Sequence, residues 1–227
     1  MKKVIMLFAA LIVGAVALAA QADRSGFQTN FPVDKKALGA TGSNPYLVLT
    51  PGFRLYYKHG QDTDTTTVLN ETKVIDGVEC RVVEDRETKN GQIAELTRDY
   101  YAIDRNTGDV YYFGEDVDTY KNGKPAGHQG AWLSGVKGAK FGMMMPGAVK
   151  AGRKFYQERA LGVGMDRAEV TAVSATVTTP AGVFKNCVQM TETSPLENGA
   201  GDRKWYAPGV GMVKEGEFEL VKIERAK

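Results

Sequence analysis

The sequence predicts an all-β fold of about ten antiparallel strands in a curved sheet or half-barrel, and three observations predict it. Apolar and polar residues alternate with a period of two along several segments, the pattern of half-buried strands. Asp76-Gly77, Asn90-Gly91 and Asn122-Gly123 punctuate that alternation, and such dipeptides suit type I′ hairpin turns, where both residues take positive φ. No stretch beyond the first residues sustains a helical period. Glycine supplies 26 of the 227 residues, above the ~7% of an average protein.

The elements follow in order. Lys2 and Lys3 precede an apolar run over residues 4–18, and Ala20-Gln21-Ala22 offers a small-x-small cleavage pattern, so residues 1–22 read as a secretory signal peptide. The run is shorter than the ~20 residues of a membrane span, and no later segment is long and apolar enough to be one. The expected location is therefore periplasmic or secreted, after cleavage near Ala22, with no transmembrane segment in the mature chain. Residues 23–44 are poor in large apolar side chains and are expected to form a flexible lead-in. Residues 45–227 form a single β-domain. Phe53, Leu55, Tyr57 and His59 alternate with Arg54, Tyr56 and Lys58 in a first strand. Further strands are expected over 66–75, 78–87, 93–103, 110–113 and 119–121. Seven glycines, Trp132 and the run Met143-Met144-Met145-Pro146 interrupt the rhythm over 127–152, which reads as a long crossing loop with one short helix near Trp132. Strands resume over 154–159, 168–178, 184–193, 203–207 and 212–223.

An internal duplication of a three-strand meander, about 74–115 and 179–217, is also readable. Cys80, Glu87-Thr88, Asn90-Gly91, Arg98, Tyr101-Ala102 and Val110 recur in the same order as Cys187, Glu192-Thr193, Asn198-Gly199, Arg203, Tyr206-Ala207 and Val213. With Asn44-Pro45-Tyr46, the stretch 104–115 and the closing Trp205-Tyr206-Ala207-Pro208-Gly209-Val210-Gly211-Met212-Val213-Lys214, the chain resembles a widespread group of exported bacterial β-proteins of unassigned function. The Tyr-Ala-Pro-Gly-x-Gly segment is the most specific part. The resemblance implies a curved sheet related to the open half-barrels of periplasmic lipoprotein carriers, and it carries no catalytic residues.

Charge excludes one class of partner. Without Lys2 and Lys3 the 29 basic side chains become 27, matching the 27 acidic ones. A neutral chain with no basic stretch argues against nucleic acid, whose binding relies on Lys and Arg at phosphates. Cys80 and Cys187 are an even pair in an oxidising compartment, which points to a disulfide. Cys80 shares a face with Val78 and Val82, whereas Cys187 alternates with Lys185, Gln189 and Thr191, so a bridge and two buried thiols both stay open. Asp104, Asn106 and Glu115 match positions 1, 3 and 12 of a calcium loop, but Asp109 stands where its glycine must turn; a hairpin turn is expected there. Ser134 lacks a nucleophile elbow, and neither His59 nor His128 has a zinc companion at local spacing. No cofactor or metal is expected.

The aromatic pairs Tyr56-Tyr57, Tyr100-Tyr101 and Tyr111-Tyr112 each place one ring on either face of the sheet, because strand neighbours point in opposite directions. Tyr57, Tyr101, Tyr112 and Trp205, with Trp132 and Met143, Met144 and Met145 as a lid, are the candidate ligand-binding residues. A non-enzymatic role is favoured: binding of a lipid or other apolar small molecule on the concave sheet. The alternatives are an adaptor meeting an envelope protein through surface aromatics, and a hydrolase using His128.

Overall fold

The computed structural model describes residues 26–199 and 201–225. The signal peptide and its cleavage point lie outside the described residues. The fold is all-β: sixteen strands form one antiparallel sheet, nearly closed into a barrel.

In chain order the strands are β1 (Leu38–Gly39), β2 (Arg54–His59), β3 (Asp62–Ile75), β4 (Val78–Lys89), β5 (Gln92–Asp104), β6 (Val110–Lys121), β7 (Lys124–Gly127), β8 (Trp132–Leu133) and β9 (Lys140–Met145). They continue with β10 (Lys154–Tyr156), β11 (Glu158–Arg159), β12 (Arg167–Thr179), β13 (Gly182–Thr193), β14 (Asp202–Ala207), β15 (Gly211–Glu215) and β16 (Phe218–Glu224). The sheet runs β10-β12-β13-β14-β15-β16-β2-β3-β4-β5-β6-β9-β11. Its two ends, β10 and β11, are consecutive in the chain with only Gln157 between them, so one short segment closes the ring. Curling into a barrel removes the unpaired edges that an open sheet would expose.

The three Asx-Gly turns are as expected: φ is +51° and +78° at Asp76-Gly77, +50° and +77° at Asn90-Gly91, and +53° and +73° at Asn122-Gly123. The two stretches of the expected duplication become β4–β5–β6 and β13–β14–β15, antiparallel meanders on two walls of the barrel.

Two expectations are corrected. The first is the flexible lead-in. Within 23–44, Gln28 bridges Phe155, Asp34 caps a 3-10 turn at Lys35–Ala37, and β1 pairs with the end of β5. Phe31 and Leu38 are buried in the core, so a few well-spaced apolar side chains offset the ordering entropy that composition alone suggested was unmet. The second is the loop 127–152. It holds β8 and β9, both paired to β6, and no helix near Trp132. Close approach of backbones decides this. At Gly114 (φ +132°) a Cβ would run into the carbonyl of Trp132, so only glycine lets β8 lie against the bulge in β6.

One end of the barrel is filled. Leu49, Phe53, Leu55, Val68, Val83, Ile103 and Val110 are all buried there in one hydrophobic cluster. Asn44-Pro45, the turn at Gly108, Met145-Pro146 and Gly209 meet at this end. Asn44 donates from Nδ2 to the carbonyls of Gly108 (2.8 Å), Pro146 (3.2 Å) and Met145 (3.4 Å), and its Oδ1 accepts from the backbone of Tyr46 and Leu47. Gly209 N donates to Pro45 O at 2.7 Å. Asp104 Oδ1 accepts from Asn106 N at 2.8 Å and Thr107 N at 3.3 Å, the hairpin turn that the sequence favours over a calcium loop. The hairpin turns after β2, β4, β6 and β15 lie at the other end, the mouth.

Candidate functional site

The registers define which residues face inward. Tyr57 lies opposite Asp64, Asp64 opposite Glu87, and Glu87 opposite Glu95 across β2, β3, β4 and β5. Asp85 lies opposite Thr97, Asp99 opposite Glu115, and Tyr101 opposite Tyr112. A bulge in β6 around Phe113 and Gly114 keeps both Tyr112 and Glu115 on the inner face. On the far wall Lys204 of β14 faces Met190 and Glu215, and Tyr206 faces Val188. The inner wall therefore changes character along its length: apolar at the closed end, tyrosine at mid-height, carboxyl toward the mouth.

Exposure follows the same gradient. Glu87 is exposed at the rim, Asp64, Asp85, Glu95 and Glu115 are half-buried, and Asp99 (6%) and Glu158 (6%) are buried deeper. The result is an acid-lined bowl. Asp64, Asp85, Glu87, Glu95, Asp99, Glu115, Glu158, Asp166, Glu192 and Glu215 act on one another across it. Lys204 is its paired cation, with Nζ 2.8 Å from Glu192 Oε1 and 3.0 Å from Glu215 Oε1.

Eight of these carboxyls, Asp64, Asp85, Glu87, Glu95, Asp99, Glu115, Glu158 and Asp166, hold their protons more tightly than ordinary ones. Burial, with Asp85 nearby, keeps Asp64 and Asp99 well above the usual carboxylate range. Burial and then Asp99 do the same to Glu115. Burial raises Asp85 too, against hydrogen bonds from Thr66 and Asp99. Glu87 reaches the rim, but desolvation of its carboxyl by the bowl, with Glu95, pushes it up to about 7. Burial with Asp166 pushes Glu158 up to about 8, and burial with Glu192 pushes Asp166 up to about 6. Burial opposes the charge on Lys204, but Glu192 and Glu215 outweigh it and keep the ammonium protonated. Several oxygens in the bowl have no donor at all: Asp64 Oδ1, Asp85 Oδ1 and Glu158 Oε2 are buried without a hydrogen-bond partner.

A ring of aromatics sits below. Tyr101 and Tyr112 stack with centroids 5.1 Å apart, and Trp132 meets Tyr112 edge-on at 5.4 Å. Tyr112 donates to Asp99 Oδ1 at 2.6 Å and Tyr57 to the carbonyl of Met212 at 3.0 Å.

The candidate residues thus divide. Tyr57, Tyr101 and Tyr112 face inward together, beside Trp132. Trp132 belongs to the wall, not to a lid, because β8 pairs with β6. Met143 and Met145 are fully buried in β9, and Met144 is half-buried against Gln157, so the methionine run is a wall strand as well. Trp205 alternates with Lys204 and Tyr206 and lies opposite Lys214 and Gln189, on the outer face. The outer members of the tyrosine pairs are held locally. Tyr56 donates to Glu224 and Tyr100 to Asp116, while Tyr111 is buried against Phe31 and Phe141.

Cys80 and Cys187 are free and buried, on β4 and β13, strands with five others between them in the sheet. Their thiols donate to local carbonyls, Val78 O and Phe184 O, rather than to each other. His128 lies outside the wall, with Nδ1 2.9 Å from both Val117 O and Asp118 Oδ1. His59 is at the mouth beside Glu217 and Phe218. Ser134 Oγ donates to Asp76 and accepts from Phe141 N, which holds the β8–β9 turn. Among the described residues no three His, Cys, Asp or Glu side chains are grouped to hold a metal ion, and no helix is long and apolar enough to cross a membrane.

The acidic lining escaped sequence reasoning because its members lie on seven strands and one connecting segment. The period of two did carry a signal: Asp64, Glu87, Glu95, Asp99 and Glu115 occupy the same alternation phase as inward apolar residues of their own strands, with the β6 bulge allowed for. Comparison with known proteins returns no match, whether to a family model, a curated protein or a solved structure.

Proposed function

We propose that this chain is an exported, non-enzymatic binding protein whose ligand is an organic cation with an apolar body, held in the acid-lined bowl. One observation carries this reading: ten carboxyl groups line the bowl with one ion-paired ammonium, Lys204, among them and Lys89 near the rim, above a floor of tyrosines. Carboxylates with aromatic rings beneath are the pairing that recognises cations, through charge and through the ring quadrupole. A purely apolar ligand, the first expectation from sequence, would leave those carboxyls desolvated and unpaired, which is unfavourable. The tyrosine floor instead supports a ligand whose apolar part lies deep and whose charge lies higher. Export rests on the signal-like first 22 residues and on the resemblance to exported β-proteins. The adaptor alternative has less support, since the outer tyrosines are engaged with their own neighbours. The hydrolase alternative has less still, with His128 on the outside of the wall.

The test compares hexylamine, hexanol and hexanoate by calorimetry or by fluorescence of Trp132 and Trp205. Hexylamine is expected to bind at least tenfold more tightly than either of the others. Equal binding of the alcohol or the acid, or no binding of the amine, overturns the reading.

A further inference from the structure

The geometry points to a primary-ammonium subsite between Asp64 and Asp85, so that the ligand is an N–H-bearing amine rather than a quaternary ammonium. This rests on the cation reading above and narrows it to a chemical class and a place. The two aspartates lie on adjacent strands of the inner face: Asp64 is opposite Glu87, and Asp85 is opposite Thr66, two residues further along β3. They are diagonal neighbours, a spacing of roughly 7–8 Å between Cα atoms that lets two carboxyls converge on one nitrogen. Each has a buried Oδ1 with no donor. Tyr57, opposite Asp64 on β2, supplies the aromatic surface beneath.

The far wall is already served. Lys204 places its own ammonium between Glu192 and Glu215, so those two carboxylates have an ion-paired cation, whereas among the described residues Asp64 and Asp85 form no ion pair and only the field of Lys204 reaches Asp85. The choice between amine classes follows from the hydrogen-bond inventory. A carboxylate is acceptor-only, whereas a primary ammonium carries three donors and a tetraalkyl nitrogen none. A site built of unpaired acceptors rejects an analogue that cannot donate, because its buried polar atoms then stay unpaired. Charge and ring contacts alone would accept both.

The experiment sets hexylamine against hexyltrimethylammonium on the wild-type chain, then repeats hexylamine on D64N, D85N and the outer-face control E84Q. Expected are at least a tenfold preference for hexylamine, at least a tenfold loss in each aspartate variant, and no change in E84Q. Thermal unfolding of each variant establishes that it is folded. If the two ammonium compounds bind equally, or if D64N and D85N bind hexylamine as the wild type does, the subsite is overturned while the cation reading stands. If neither ammonium compound binds the wild-type chain, both fall. The wild-type comparison decides the amine class even where an aspartate variant fails to fold.

Discussion

Replacing Glu158 by Gln should stabilise the empty protein above neutral pH and leave it unchanged in acid. Glu158 is only 6% exposed, its Oε2 has no donor, and Asp166, Glu192 and Glu115 bear on it. Burial and Asp166 push its pKa from 4.5 up to about 8. The sign follows from proton counts. Between those two values the folded state holds more protons than the unfolded one, so stability falls as pH rises through the window and is untouched below it. Carrying that shift costs up to ~3 kcal/mol at pH 7, at ~1.4 kcal/mol per pKa unit. Water in the bowl and relaxation of its walls reduce the net effect to about 1–2 kcal/mol, or about 2–8 °C in Tm for a domain of this size. Gln keeps the shape, does not titrate, and offers N–H groups to the carboxyls of Asp166 and Glu192. Urea unfolding followed by tryptophan fluorescence at pH 5 and pH 8 measures the difference, with Trp132 beside the substituted side chain. A midpoint clearly raised at pH 8 and raised far less at pH 5, near the foot of the window, is expected. Destabilisation of similar size at both pH values would refute the reasoning, because it would show that the carboxylate is held by favourable contacts.

The wild-type chain should itself lose stability between pH 5 and pH 8, since Asp166, Glu87 and Glu158 titrate at about 6, 7 and 8 in the folded state; a flat Tm profile over that range contradicts the raised carboxyls. Lys204→Met removes the cation shared by Glu192 and Glu215 and should cost about 3–5 kcal/mol at pH 8, less at pH 5, as read from urea midpoints. Asn44→Ala strips donors from three carbonyls at the closed end and should cost about 2–4 kcal/mol; calorimetric melting shows this without any change in ligand binding. Cys80, with its pKa pushed up to about 12 by burial, and Cys187 should resist an aromatic disulfide reagent in the folded chain and yield two thiols per chain in denaturant, whereas no thiols in denaturant would mean a bridge.

Much of the fold was legible because hairpins are local. Asp76-Gly77, Asn90-Gly91 and Asn122-Gly123 fix their turns through backbone sterics that each dipeptide carries by itself. What the sequence hid was long-range. Trp132 and the methionine run read as a loop because each strand they form is short and pairs with β6, and strands of two to six residues are too brief for a period to emerge. Phe31 and Leu38 read as part of a polar lead-in because burial of a few side chains depends on where the chain lands. Of the candidate site, the inward phase of Tyr57, Tyr101 and Tyr112 could be read from the adjacency rule. Trp205 was grouped with them on its aromatic character alone, and its alternation with Lys204 and Tyr206 puts it on the other face.

Charge neutrality concealed the rest. The chain beyond residue 22 balances 27 basic against 27 acidic side chains, and composition cannot distinguish an even mixture from a segregated one. The bowl takes ten of those acids and one lysine, leaving 26 basic and 17 acidic side chains elsewhere. A fold selected for stability alone would place apolar residues at Asp64, Asp85, Asp99 and Glu115, whose strands already supply the packing, since buried unpaired carboxyls oppose folding. The closed end shows that this chain can build such a core: Leu55, Val68, Val83 and Val110 lie along the same inner face. Stability is thus concentrated at one end of the barrel, and strain from unpaired charge at the other. A cation entering the mouth would relieve that strain by pairing with the carboxyls, so added ligand should raise folding stability most above neutral pH, where the empty bowl is least stable, and little in acid, where protons already occupy the same oxygens.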